Sequence, residues 1–444
     1  MIVILIPELD KSCLVFLFSK VNANAISALL ASLDIHPILN RLEVFLPNYK
    51  VDPESYAKEL QQFERIVLAV SVFSSQLEDY AEAIKKFRNF FAEKEIVSIA
   101  GGPHPIGDPF SMLINGADYV CTGEGEIVFP EFILWFLGMK KDVEEVPGIA
   151  FLRNGKVIKT PKPKPIDLNM YPPFSSKHNL YRPIEITRGC AWKCRFCQIR
   201  ARGGQKVRHR SPETVAKYAK IIHERFRDVG TDIRFISPNA LSYGSEDGKH
   251  IRLDIVEDML KRVREIVGDE GRIFFGSFPS EVRPETITEE SVKLLKKYSD
   301  SRRIIVGGQS GSIDVLEKAS RGHTPQETLR AVKLLLENGF EVDVDIIFGL
   351  PGETEEDVME TIRHMEELTA MGAKIHSHTF MPLVGTPFAS ANPGKIHPKY
   401  RKIIAKLQGT RGLKGHHERQ EEIAERLAVR RKQERKKKGS ISHS

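Results

Sequence analysis

The sequence is poor in cysteine and tryptophan, has no long apolar run, and carries almost no charge imbalance outside its last tenth. Five cysteines in 444 residues, three of them within eight positions, cannot staple a disulfide scaffold. The clustered three point instead to a cytosolic metal or redox site. The most apolar stretches, 1–7 and 14–18, fall far short of the ~20 residues that cross a bilayer, so no membrane span is expected. No basic segment precedes residues 1–5, and Glu8 and Asp10 follow at once. A secretory leader is therefore not expected, and a cytoplasmic protein is. The net charge of +7 hides a local excess: residues 401–444 hold 14 Lys+Arg against 5 Asp+Glu. The first 400 residues are left with 52 basic and 54 acidic side chains, which gives no general affinity for nucleic acid.

What is present is alternation. With 41% hydrophobic and 28% charged residues the chain is globular rather than disordered. Apolar runs alternate with helical patterns almost throughout, the mark of an α/β protein with mostly parallel sheets. Residues 1–150 offer strands at 1–7, 41–46, 65–72, 96–100 and 119–121, with helices at 24–33 and 77–91 among the intervening segments. This predicts a doubly wound, Rossmann-like domain whose ligand lies outside the carboxyl ends of the strands. Residues 151–180, rich in Pro and Lys, are expected to be an extended linker. Alternation restarts over 181–390, with strands at 183–187, 232–237, 272–278, 303–306, 342–348 and 375–380. Ser211-Pro212 and Thr324-Pro325 read as helix N-caps, and Gly339 as a helix end. Six βα units make a partial barrel, two short of a closed eight-fold one. Residues 391–444 form a basic, helical extension whose apolar stripe, Ile423 and Leu427, is thin enough to predict loose attachment.

The strongest local signal is Cys190, Cys194 and Cys197, a C-x3-C-x2-C spacing directly after the first strand of the second block. Three thiolates on one loop can hold three corners of a cubane iron–sulfur cluster and leave its fourth iron open. Structural zinc is the alternative, but it needs four protein ligands and would have to recruit a histidine such as His178 or His209. The spacing, with Phe196 just before the last cysteine, resembles the radical S-adenosylmethionine (SAM) superfamily. The run Gly307-Gly308-Gln309-Ser310-Gly311-Ser312 and then Arg321-Gly322-His323-Thr324 resembles that family's fourth-strand region. Phe348-Gly349-Leu350-Pro351-Gly352-Glu353 resembles its fifth-strand motif, and Pro382 with Gly385-Thr386-Pro387 the sixth. The resemblance implies a partial (β/α)6 barrel, a 4Fe-4S cluster on the three cysteines, and SAM bound through the open iron. It implies Phe196 near the adenine, and Gln309, Ser310, Ser277 and Glu281 as SAM contacts. Each has a plainer reading too: Gln309 and Ser310 as helix caps, the glycines as tight turns or close backbone approaches.

In the first domain, Gly101-Gly102-Pro103-His104 follows the fourth strand and Gly123-Glu124-Gly125-Glu126 the fifth. Together with Ser71, somewhat under thirty residues before Gly101, they resemble the cobalamin-binding domain that precedes the barrel in one radical-SAM class. This implies a cobalamin site at Ser71, Gly101, Gly102, Gly123, Glu124 and Gly125. The Asp-x-His-x-x-Gly lower-ligand motif of some cobalamin domains is missing. Asp34-Ile35-His36 matches only its start, and His104 reads as a loop histidine or substrate contact. The implied reaction is reductive cleavage of SAM to a 5′-deoxyadenosyl radical, followed by methyl transfer from cobalamin to an unactivated carbon. The alternatives are a cobalamin-free radical enzyme that forms rings or cross-links, and a nucleic-acid-binding protein acting through the basic tail. A low-potential flavodoxin or ferredoxin is the implied electron donor. A weak RNA contact is expected on electrostatic grounds through Arg430-Arg431-Lys432 and Arg435–Lys438, with no aromatic interleaved to stack on bases.

Overall fold

The computed structural model describes residues 7–199 and 204–441. They divide into two compact units, 1–182 with 433–444, and 183–432.

The first unit is built on a seven-stranded sheet in the order β2-β1-β3-β4-β5-β6-β7. Its strands are β1 (Ser12–Phe16), β2 (Glu43–Phe45), β3 (Arg65–Ser71), β4 (Glu95–Gly101), β5 (Tyr119–Cys121), β6 (Ile149–Arg153) and β7 (Lys156–Lys159). The expected strand at 1–7 lies almost wholly outside the described residues, and Pro7 opens a helical turn, Pro7–Asp10. The first strand is instead Ser12–Phe16, buried at every position. A central parallel strand is covered on both faces, so it reads as an unbroken apolar run rather than an alternating one. Its side chains still alternate: Leu14 and Phe16 enter the core under the helices Ala23–Asp34 and Gly125–Phe136, whereas Cys13 and Val15 face the helix Leu77–Phe90.

The order 2-1-3-4-5 reverses at β1/β3, which puts the ligand crevice of a doubly wound sheet outside the carboxyl ends of those strands. One expectation needs correction here. Residues 151–159, taken as the start of a linker, belong to the antiparallel hairpin β6–β7, which extends the sheet from β5. Its turn is Asn154-Gly155, both with positive φ (50° and 73°), the two-residue loop whose twist matches that of the flanking strands.

The second unit carries β8 (Ile184–Glu185), β9 (Thr187–Arg188), β10 (Arg208–His209), β11 (Asp232–Ile236), β12 (Arg272–Phe274), β13 (Arg303–Gln309), β14 (Glu341–Phe348), β15 (Lys374–Thr379) and β16 (Leu413–Gly415). Two parallel sheets, β12-β11-β8 and β13-β14-β15-β16, are joined by the parallel bridge Val282–Val306. The result is the expected open barrel of six βα units with a seventh strand added from the extension. The caps also form: Ser211 accepts from Thr214 N, and Thr324 and Glu327 make a reciprocal capping box. The extension is not loosely attached. Leu413–Gly415 pairs with β15, His417 is buried with Nδ1 at 2.7 Å from Ser377 Oγ, and Gln420 Oε1 accepts from Thr379 N at 2.8 Å. Polar side chains hold the start of the extension's helix, His417–Ile441, which an apolar stripe alone could not reveal.

Candidate functional site

The cysteine loop leaves the carboxyl end of β9 and is pinned by main-chain bonds to distant segments. Arg195 N donates to Ala319 O at 3.0 Å, and Phe388 N donates to Arg195 O at 3.1 Å. Cys190, Cys194 and Cys197 are free thiols that line one cavity with Trp192, Phe196, Arg283 and Arg321. Burial raises the Cys190 thiol and pushes Cys197 up to about 11, while the Arg321 guanidinium pulls both down.

The two arginines are the main features that sequence reasoning missed. Arg321 Nη1 lies 3.6 Å and Arg283 Nη1 3.9 Å from Cys194 Sγ. Arg283 is only 3% exposed, stacks at 3.8 Å over the Trp192 ring, and is ion-paired to Glu285. Burial and the charge of Arg321 both lower its pKa. Arg321 Nη2 donates to Gly307 O at 2.8 Å, and a Cβ on Gly307 would sit 2.5 Å from that same nitrogen. The first glycine of the Gly-Gly-Gln-Ser run therefore makes room for a guanidinium at the thiols. Arg321 stood inside a quoted motif, but nothing in the pattern said that it returns to Cys194. For Arg283 the sequence carries no signal.

The expected SAM contacts divide. Phe196 lines the thiol cavity. Gln309 follows an irregularity in the β13–β14 register and is held at φ 72°, a rare conformation for a non-glycine residue. Ser310 is buried, and its hydroxyl lies 3.1 Å from Thr361 Oγ1 and accepts from Ser312 N; the next helix, Ile313–Lys318, is capped by Ser312 and not by Ser310 as its plainer reading had it. Ser277 Oγ lies 3.3 Å from Ser301 Oγ, and Glu281 is held with a raised carboxyl pKa by burial and by Asp345. The zinc alternative loses its histidines. His209 Nδ1 lies 2.9 Å from Thr187 Oγ1 and its Nε2 2.9 Å from Ser245 O, while His178 is bonded to Ser175 and lies beside Asp34.

In the first unit, Ser71 ends β3 and Gly101 ends β4. Gly102 has φ +99°, and a Cβ there would meet Val72 N at 2.8 Å, so only glycine fits this turn. Gly123 and Gly125 follow β5, with Glu124 between them accepting from Ile166 N at 2.8 Å. His104 is buried, its two ring nitrogens each 3.1 Å from a hydroxyl, those of Ser74 and Ser111. His36 caps a turn, its Nδ1 accepting from Leu39 N at 3.2 Å. Neither histidine is presented as a metal ligand.

Comparison with known proteins agrees with this geometry. Residues 184–365 match the Radical SAM superfamily. An uncharacterised methyltransferase of Pyrococcus horikoshii is 24% identical over 363 residues, 78% of this chain and 74% of that protein. A putative methylthiotransferase of Methanocaldococcus jannaschii is 28% identical over 322 residues, 70% of this chain and 66% of its own length. The tRNA-2-methylthio-N(6)-dimethylallyladenosine synthase of Pelobacter propionicus is 26% identical, and the match spans only 52% of it. Among solved structures, the radical SAM methyltransferase TsrM of Kitasatospora setae, with cobalamin and a [4Fe-4S] cluster bound, superposes with a TM-score of 0.64 at 17% identity over 85% of this chain and 74% of its own. The cobalamin-dependent SAM radical enzyme OxsB gives 0.69 at 16% identity over 91% of this chain and 62% of its own. At these identities the likeness to the two structures is one of fold. Residues 184–365 therefore carry a radical SAM domain.

Proposed function

We propose that the chain is a cobalamin-dependent radical SAM methyltransferase acting on an unactivated carbon. The observation that carries the reading is the convergence of Cys190, Cys194 and Cys197 on one cavity beside the buried guanidinium of Arg283 and the half-buried one of Arg321. These residues fit a cubane cluster: the thiols supply three ligands, and Arg283 and Arg321 offset the negative charge that thiolate ligation brings. In such an enzyme the cluster supplies the electron that cleaves SAM, and cobalamin supplies the methyl group. The chain's own part is to hold and shield. Trp192 and Phe196 wall the cavity with aromatic surface, and Arg283 is held between the Trp192 face and Cys194. Gln309 and Glu281 are assigned to SAM, and Ser71, Gly101, Gly102, Gly123, Glu124 and Gly125 to cobalamin. In a doubly wound sheet the ligand lies outside the carboxyl ends of the strands, and there Ser71 ends β3, Gly101 ends β4 and Gly123–Gly125 follow β5.

Methyl rather than methylthio transfer is favoured by the other two cysteines. Cys13 and Cys121 lie in separate cores of the first unit, and burial pushes each thiol up to about 12. They do not converge on a second cluster.

The test is the metal content of the full chain, expressed with cobalamin supplied and reconstituted anaerobically with iron and sulfide. About four irons and one cobalt per chain are expected. Cys194→Ala should abolish both the iron–sulfur absorption and the release of 5′-deoxyadenosine from SAM under dithionite. A variant that still releases it removes the cluster assignment. Four irons without cobalt remove cobalamin and leave a radical enzyme that forms rings or cross-links.

A further inference from the structure

A second constellation lies on the inner face of the barrel sheet, away from the cysteines in sequence. On β14, Val342, Val344, Ile346 and Phe348 are buried under helices, so Asp343 and Asp345 project from the opposite face. On β15 the same face carries His376 and His378, spaced as His-x-His, which puts both imidazoles on one side of a strand. The parallel register sets Asp345 directly opposite His376.

We infer that Asp345, His376 and His378 form a binding site for a divalent transition-metal ion on this inner face. Asp345 Oδ1 lies 2.8 Å from His376 Nδ1 and 3.5 Å from His378 Nε2, and the three donor atoms all fall within 4.8 Å of one another. An ion about 2.1 Å from each of three tetrahedral donors spaces them at about 3.4 Å, so modest side-chain rotation closes the triangle. The side chains are 18–30% exposed, which leaves coordination positions open to a further oxygen donor. The neighbourhood also favours a dication. Glu281, half-buried, adds a second carboxyl whose charge acts on Asp345 and both imidazoles. The cations of this face are drawn elsewhere, because Lys414 and Arg303 both pair with Asp343. Gln420 Nε2, 3.3 Å from His378 Nδ1, holds that ring from behind. Two imidazoles and one carboxylate with open positions select a borderline ion such as Zn2+ or Fe2+.

The site lies near Glu281, which the proposed function gives to SAM, so its test is run without SAM and needs no substrate. The full chain, with its cluster reconstituted anaerobically so that the cysteines are occupied, is dialysed against micromolar buffered Zn2+. Bound zinc and iron are then counted by mass spectrometry. One zinc per chain beyond the iron is expected, with at least a tenfold loss of affinity in His376→Gln/His378→Gln at unchanged iron content and circular dichroism. No bound zinc in the wild type, or full retention in the variant, overturns the inference. If the variant does not fold, X-ray absorption at the zinc edge of the wild type decides: two imidazoles without sulfur support the site, and sulfur ligation overturns it.

Discussion

At the scale of single residues, burial and charge oppose one another around the thiols. Burial raises Cys190 and Cys197, and Arg321 works against it. With its guanidinium 3.6 Å from Cys194 Sγ, Arg321 should stabilise the more negative, reduced form of a bound cluster. Arg321→Gln is therefore expected to lower the cluster's reduction potential by on the order of tens of millivolts, read by a redox titration followed by electron paramagnetic resonance. Glu353 makes a second prediction. Burial pushes its carboxyl up to about 7, against opposing hydrogen bonds from Tyr400 Oη and Gly349 N. Between about pH 4.5 and 7 the folded chain holds a proton that the unfolded chain has released. That stabilising contribution is full below the unfolded value and is lost as pH rises through about 7. Glu353→Gln should flatten the fall in denaturation midpoint across this window, which is worth up to about 3 kcal/mol in the wild type.

At the scale of elements, turns after strands and helices place the motifs, and two glycines show how differently they do it. Gly339 follows the helix Pro325–Glu337 with φ +84° and nothing within reach of a Cβ. Gly349 follows β14 with φ +69°, but a Cβ there would lie 2.5 Å from Lys395 N. Gly339→Ala is expected to cost only the left-handed backbone penalty, roughly 1–2 kcal/mol. Gly349→Ala adds a clash with main chain and should cost about 3 kcal/mol or more. Urea denaturation of the two variants checks the ranking; equal costs would mean that the 394–395 segment moves aside freely. The sequence signal for both glycines was clear, but only the fold distinguishes a glycine that merely turns from one that admits another strand of chain.

At the scale of the whole molecule, the basic extension changes its meaning once its contacts are known. Ending the chain at 406 removes β16, the buried His417 and the Gln420 side chain that accepts from Thr379 N. That truncation should fail to give folded barrel, whereas a chain ending at 436 should fold. Limited proteolysis of the two truncated chains separates the outcomes. A folded chain ending at 406 that still cleaves SAM but no longer retains RNA would make the extension an accessory binding arm.

Local chemistry was written in the sequence: the cysteine spacing, the Gly-Gly and Gly-Glu-Gly turns at strand ends, the Thr324 capping box and the βα alternation all depend on near neighbours. The Asn154-Gly155 hairpin was equally local and was hidden only by the Pro- and Lys-rich stretch that follows it. Burial on both faces decided the true first strand, because a central strand shows no period of two. Arg283 and Arg321 reach Cys194 across 89 and 127 residues, and Asp345 meets His376 across 31. Such pairs are set by strand order and register, which no local pattern encodes. Spacing along one loop can specify three ligands, but the charges that surround them are chosen by the tertiary fold.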